Sequence, residues 1–293
     1  MTQRAAMATV ESSEGPTSTA NPSKVTAGNE SIDSTSIDHW GRSEDFRKAL
    51  RSAFDPIYRY WFRVEWEGLD KIPKQGPALL VANHSGALPP DALSIMQGIE
   101  QGIGRPVYGL ADNLFRTIPA LNIAWSRGGG VSANPDNAYR LLADEGQLVL
   151  AFPEGIRGPL KPFSERYTLR RFGRGGFVET AMRAGVPIIP IAVVGAEESM
   201  PVIARVPIPK SQIGIPYLPI TLNHVLFGPV LGSVLWFPAK IRIRVLEPVV
   251  IDAEPGEARY SRSKVLEEST KIEELIKRAI TDMLRRRKNV ILG

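Results

Sequence analysis

His84 and Asp91 stand at the two ends of a short loop, Asn83-His84-Ser85-Gly86-Ala87-Leu88-Pro89-Pro90-Asp91, which follows the apolar run 77–82. An apolar run that stops at a His, then a Gly/Pro loop, then an Asp opening a helical pattern reads as strand, loop and helix, with a titratable group at each end of the loop. If the fold brings the two within hydrogen-bond reach, they make a general base and the carboxylate that orients it. Alone the pair is weak. A single His more often serves structure, and an Asp in the first turn of a helix is favoured by the dipole without any catalytic role.

Two further stretches strengthen the signal. Phe152-Pro153-Glu154-Gly155-Ile156-Arg157-Gly158 follows the apolar run 147–152 just as Asn83-His84 follows 77–82, which puts Glu154 and Arg157 on the same edge as His84. The cations Lys161, Arg166, Arg170, Arg171 and Arg174 come immediately after. A base, a carboxylate and several phosphate ligands suit transfer between a phosphorylated donor and an alcohol. Plainer readings stand beside this one. Arg170, Arg171 and Arg174 equally suit a solvated basic face or contact with anionic lipid heads, and Glu154 equally suits tying down its own loop through backbone N–H groups or Arg157. The triplet Gly128-Gly129-Gly130 exposes backbone N–H groups that can stabilise an oxyanion, although glycine usually marks a turn. A serine nucleophile is not expected, since no Gly-x-Ser-x-Gly elbow is present. Nor is a metal site, with three His and no Cys in the chain.

The elements that must position these residues follow from periodicity. Phe46, Leu50, Phe54, Ile57 and Tyr58 recur at helical spacing, and Phe62, Val64 and Trp66 alternate as in a half-buried strand. Strands are expected at 77–82, 106–110, 147–152, 187–194 and 241–245. Helices are expected from Pro90, through Leu114, Phe115 and Ile118 to Ile123, over 135–145 with Asn134 as cap and Gly146 as stop, over 175–183, and from Ser263 to Lys288. Strands separated by helices predict an α/β fold: a largely parallel central sheet with helices on both faces, an N-terminal helix, a C-terminal amphipathic helix, and sites beyond the carboxyl ends of the strands. Residues 1–38, rich in Ser, Thr, Asn and Gly, read as a disordered tail, leaving 39–293 as one domain.

From Gln212 to Ala239 no Asp, Glu, Lys or Arg occurs, but Pro216, Pro219, Pro229 and Pro238 oppose a continuous membrane span. An apolar loop or broken helices at a membrane interface, helped by Trp236 and Phe237, is one reading; simple core is the other. The 293 residues carry a net charge of +5 and no Cys, which excludes disulfides and favours anionic surfaces. A nucleic-acid partner is not expected, because the cations are not interleaved with aromatics in any recognisable module. The N-terminus lacks the apolar core of a signal peptide, so a cytoplasmic protein, peripheral on a membrane, is expected.

With these motifs the chain resembles the glycerolipid acyltransferases of the lysophosphatidate-acyltransferase type, in the branch similar to monoacylglycerol and diacylglycerol acyltransferases. The resemblance runs from about Phe62 to Asp252 and rests on Asn83-His84 through Asp91, on Phe152 to Arg157, and on Val186-Pro187-Ile188-Ile189-Pro190. It implies that His84 is the base that removes the acceptor hydroxyl proton, that Asp91 orients it, and that Glu154, Gly155 and Arg157 shape the acceptor site. It further implies a fatty acyl chain moved from acyl-CoA or an acyl carrier protein to a glycerolipid-like alcohol at a membrane surface, with no cofactor. Gly129 and Gly130 would supply oxyanion N–H groups, and Lys161, Arg170, Arg171 and Arg174 would bind phosphate. The chain departs from the family pattern in two places. Six residues separate His84 from Asp91 where the family has four, so either the loop bulges and Asp91 still reaches the ring, or the dyad is broken and the protein binds lipid without catalysis. The stretch Gly129 to Ala133 lacks the Arg that many lysophosphatidate acyltransferases use for the acceptor phosphate, which favours an unphosphorylated alcohol unless Arg157 and its neighbours take over.

Overall fold

The computed structural model describes residues 37–86, 90–111, 119–170, 172, 174–208, 217–257, 259–291 and 293. The expected tail up to residue 36, the helical positions Leu114, Phe115 and Ile118, and Arg171 lie outside the described residues. The last residues assigned to the tail are tied in: Ile37 pairs with Ser43, and Asp38 accepts the Tyr108 hydroxyl at 2.5 Å.

Ser43 caps α1 (Glu44–Pro56) by accepting the Phe46 N–H at 3.3 Å, and the helix widens into a π-turn over Ile57–Trp61. Phe62 closes that turn and is fully buried, so the strand expected from residue 62 starts later, as β1 (Glu65–Glu67). There follow β2 (Ala78–Ala82), α2 (Pro90–Ile103), β3 (Val107–Ala111), α3 (Pro119–Arg127) and β4 (Gly130–Ser132). Asn134 caps α4 (Pro135–Tyr139) as expected, but the helix becomes a π-turn at Arg140–Asp144 before β5 (Leu148–Ala151). The remainder is α5 (Gly176–Ala184), β6 (Ile188–Val194), α6 (Ala196–Ser199), β7 (Val202–Pro207), β8 (Tyr217–Thr221), α7 (Leu222–Leu231), β9 (Arg242–Val245) and α8 (Arg262–Arg286).

Seven strands form one sheet in the order β1-β9-β6-β2-β5-β3-β4, and β7 and β8 form a separate antiparallel pair. From β6 to β4 all pairs are parallel; β9 runs antiparallel to β6 and parallel to β1. The sheet is largely parallel, as expected, and helices cover both faces. Successive residues of a strand point to opposite faces. Leu79 and Val81 therefore join Val149, Ile188 and the buried residues of α5 and α8 on one side. Leu80 and Ala82 join Leu150, Ile189, Phe54 and Ile95 on the other. Every residue of β2, β5 and β6 is buried, which is why these strands read in the sequence as continuous apolar runs. Because β2 lies between β5 and β6, the loops leaving their carboxyl ends are neighbours.

Candidate active site

His84 leaves the central strand, and each adjacent strand holds it. Asn83 spans to β6, donating from Nδ2 to the Val193 carbonyl at 3.0 Å and accepting the Val193 N–H at 2.7 Å. From the β5 side, Glu154 Oε1 accepts the His84 N–H at 2.9 Å, and the Phe152 ring stacks on the imidazole with centroids 4.0 Å apart. Phe152 thus packs on the ring, while Glu154 holds the backbone that carries it.

Asp91, in the first turn of α2, is completely buried, and its Oδ2 lies 2.9 Å from His84 Nδ1. The same oxygen accepts the Ser85 N–H at 2.8 Å, while Oδ1 accepts the Ala92 N–H at 2.7 Å. Since a carboxylate only accepts, Nδ1 carries a proton toward Asp91, and in the neutral form of the ring this leaves the lone pair on Nε2. The six-residue spacing does not separate the pair; of the two alternatives open in the sequence, the geometry is that of a closed dyad.

Glu154 is buried, and its second oxygen accepts the Arg170 N–H at 2.7 Å. Its carboxylate faces backbone donors rather than open space, so the structure places it as a brace between His84 and the following loop. Burial raises its pKa above the usual carboxylate value, against the pull of Lys161 and the two N–H donors. Gly158 lets that loop pass against His84: a β-carbon there would lie 2.8 Å from the His84 carbonyl oxygen and 2.9 Å from its Cβ.

The cations divide. Gly155 and Arg157 form a single helical turn, and Arg157 and Arg174 are exposed with no ion pair or hydrogen bond among the described residues. Arg170 pairs with Glu165, and Arg166 stacks on the Phe163 ring at 4.6 Å. Lys161 departs from expectation. Its side chain is only 2% exposed, with Nζ 2.9 Å from Glu197 Oε1 and 3.8 Å from Glu154 Oε2, so it is a buried counter-ion and not an open phosphate ligand. Burial pushes the Glu197 carboxyl up to about 7, partly offset by Lys161.

The oxyanion assignment of Gly129 and Gly130 is corrected. Gly130 lies in β4, three strands from β2 and in register, through Gly109 and Leu150, with the mid-strand residue Leu80. Three strand spacings put it about 14 Å away. Its missing side chain is explained by Trp125, whose Nε1 would lie 1.8 Å from a β-carbon there. Phe152 stood in the motif without a role, and Glu197, which neutralises Lys161 behind Glu154, was not singled out by any motif. The only signal for Glu197 is a pair of acids, Glu197-Glu198, just past an apolar run.

Comparison with known proteins places the chain in a family. The family model described as Acyltransferase matches residues 63–194, a span that holds His84, Asp91 and Glu154. An uncharacterized protein of Mycobacterium tuberculosis is 35% identical over 261 residues, 88% of this chain and 72% of that protein. The chain belongs to the acyltransferase family. Within the family, the "DGAT1/2-independent enzyme synthesizing storage lipids" of Bos taurus is 31% identical over 145 residues, which are 50% of this chain and 42% of the bovine one. The crystal structure of the 1-acyl-sn-glycerophosphate (LPA) acyltransferase PlsC from Thermotoga maritima shares the fold, with a TM-score of 0.53 at 20% identity over 83% of this chain and 81% of that one. The resemblance to the glycerolipid acyltransferases is thereby borne out.

Proposed function

We propose that this acyltransferase moves a fatty acyl chain from a thioester, acyl-CoA or an acyl carrier protein, to a hydroxyl of a glycerolipid-like acceptor, without an acyl-enzyme. The observation that carries the reading is the 2.9 Å contact of His84 Nδ1 with Asp91, made while Glu154 holds the His84 backbone. Nε2 takes the proton of the acceptor hydroxyl as its oxygen attacks the thioester carbonyl. The tetrahedral intermediate collapses, the carbon–sulfur bond breaks, and the imidazolium returns the proton to the leaving thiolate. Asp91 keeps the ring in the reactive tautomer and stabilises the imidazolium. The exposed Arg157 and Arg174 stand ready for phosphate groups of either substrate.

The name of the bovine relative, storage-lipid synthesis, supports an unphosphorylated acceptor, as does the absence of Arg from Gly129 to Ala133. The second reading, a phosphorylated acceptor, draws on Arg157 itself. The 2.9 Å contact of His84 with Asp91 favours catalysis over the non-catalytic lipid-binding alternative. The work takes place on a membrane surface in this proposal, with the protein peripheral on a cytoplasmic face. Among the described residues no helix is long and apolar enough to cross a membrane. Instead Val225, Leu226, Phe227, Val230 and Leu231 of α7 are exposed, as are Ile203 and Val206 of β7 and Leu218 of β8. In the described part of the 212–239 stretch, the simple-core reading does not hold. An aliphatic surface of this extent on a net-positive protein suits an anionic bilayer interface.

The test is product analysis with one labelled acyl-CoA and matched acceptors with and without a phosphate. Transfer by the wild type that His84→Ala abolishes supports the proposal; equal rates in the two would sink it.

A further inference from the structure

The acyl-transfer chemistry does not use the charges that lie behind Glu154, yet they form one connected network. Lys161 bridges Glu197 and Glu154 and donates to the Thr168 carbonyl at 3.1 Å. Glu197 Oε2 accepts the Tyr167 N–H at 2.9 Å. The Tyr167 hydroxyl donates to Glu198 Oε2 and accepts from the Gly195 N–H at 3.1 Å and from Arg287 Nη1 at 2.9 Å. Arg287 Nη1 also lies 2.6 Å from Glu198 Oε1, and its Nη2 donates to the Val290 carbonyl.

Three distant parts of the chain therefore meet at one phenol: the loop after β5, the turn after β6, and the segment that follows α8. Tyr167 itself has a φ of +63°, a left-handed conformation that a residue with a β-carbon keeps only when its surroundings over-determine it. Buried ion pairs are also a poor way to gain stability alone, since apolar residues of similar volume serve as well or better. What the network does fix is the path of residues 157–170, which begins beside His84, carries Arg157 and Arg166 outward, and returns to Glu154 through the Arg170 N–H.

We propose that Tyr167 is a positioning residue which, held by Glu198 and Arg287, locks the 157–170 loop in the shape that receives the polar headgroup of the acceptor. The end of α8 thereby sets acceptor affinity without touching substrate. This rests on the acyl-transfer reading, because it takes the loop as the acceptor side of the site.

The experiment compares Tyr167→Phe, Glu198→Gln and the milder Arg287→Lys with the full-length wild type by hydrogen–deuterium exchange and by steady-state kinetics. Exchange of the 158–170 amides should rise while β2 and β5 stay protected. The acceptor KM should rise about tenfold or more, the size of one charge-assisted hydrogen bond, with kcat and the acyl-CoA KM nearly unchanged. The double variant Tyr167→Phe/Arg287→Lys should be no worse than the worse single one. Unchanged loop exchange overturns the lock. So does a fall in thermal stability with the acceptor KM unmoved, which is what a merely structural role gives. If the wild type transfers no acyl chain, faster loop exchange in the variants still supports the lock, and the acyl-transfer reading is the one that has failed.

Discussion

Asp91 lies seven positions after His84, and its Oδ2 is nevertheless 2.9 Å from the imidazole Nδ1. The contact is possible because Asp91 opens α2 with its side chain directed back at the loop, where Ser85 and Ala92 N–H groups hold both oxygens. Asp91→Asn keeps the shape and replaces one acceptor with an N–H₂ group, which favours the wrong ring tautomer. We expect kcat to fall by about 10²–10⁴-fold with substrate KM values little changed, as for other orienting carboxylates. Single-turnover acyl transfer with saturating donor measures this, and an active Asn variant would mean that Asp91 only caps α2.

Glu154 supplies one oxygen to the His84 N–H and the other to the Arg170 N–H. Glu154→Gln leaves one of these buried N–H groups facing an amide N–H₂. The cost is about 1–3 kcal/mol of stability, the usual penalty for a buried donor left unmatched. Denaturant unfolding should show that loss, and kcat should drop in the same variant because the His84 backbone is released. A variant with native stability and native kcat excludes the brace.

Two glycines near the site should respond in opposite ways. Gly158→Ala places a methyl group 2.8 Å from the His84 carbonyl oxygen, so His84 or the loop must move. Gly155 has nothing within 4 Å of a β-carbon and only its φ of +55° to lose. Gly155→Ala should cost about 1 kcal/mol of stability and little activity, while Gly158→Ala should cost most of the activity at comparable expression. Thermal melts beside acyl-transfer rates separate the two; the reverse order of activities would place the acceptor against Gly155 instead.

The sheet and the edge that carries the site were legible because β2, β5 and β6 are buried on both faces, which leaves apolar runs ending at His84, Glu154 and Glu197. Asp91 was legible as a candidate but its contact was not, since spacing alone does not state how a loop bulges. Lys161 was misread because the residue that neutralises it, Glu197, lies 36 positions away on a different strand's loop. Gly129 and Gly130 were misread for a similar reason. The Trp125 ring takes the space a β-carbon at Gly130 would fill, and at Gly129 the φ of +95° and the Val107 carbonyl account for the glycine. For the apolar stretch before β9, a pattern without charges cannot tell an inward face from an outward one. Exposure decided it.

The α7 surface gives a prediction about location. Asn223, buried, donates from Nδ2 to the Ser199 and Leu235 carbonyls, and Trp61 Nε1 donates to the Trp236 carbonyl at 3.0 Å. Asn223 ties the helix, and Trp61 the segment after it, to the rest of the protein while the aliphatic side chains of α7 are exposed. Replacing Leu226 and Phe227 together with Asp should lower partition onto anionic vesicles by about tenfold or more, given roughly 1.5–3 kcal/mol for each such side chain buried. Vesicle flotation reads this out. Activity on short-chain, water-soluble acceptors should be retained, which separates membrane docking from damage to the site.

Glu197 gives the pH dependence of stability. Burial is the largest influence on it and raises its pKa to about 7 from a usual 4.5. A carboxyl whose folded pKa is raised binds protons more tightly folded than unfolded, so between about 4.5 and 7 its contribution to stability declines as pH rises. Glu154 is shifted in the same direction by the same cause. Glutamine stays neutral throughout, so Glu197→Gln removes the Glu197 part of this slope while leaving that of Glu154. The stability of the wild type relative to the Gln variant should therefore fall from pH 5 to pH 8. Thermal melts at unit steps of pH measure the difference. A wild type that gains on the variant as pH rises would mean that attraction to Lys161, 2.9 Å away, outweighs the desolvation of the pair.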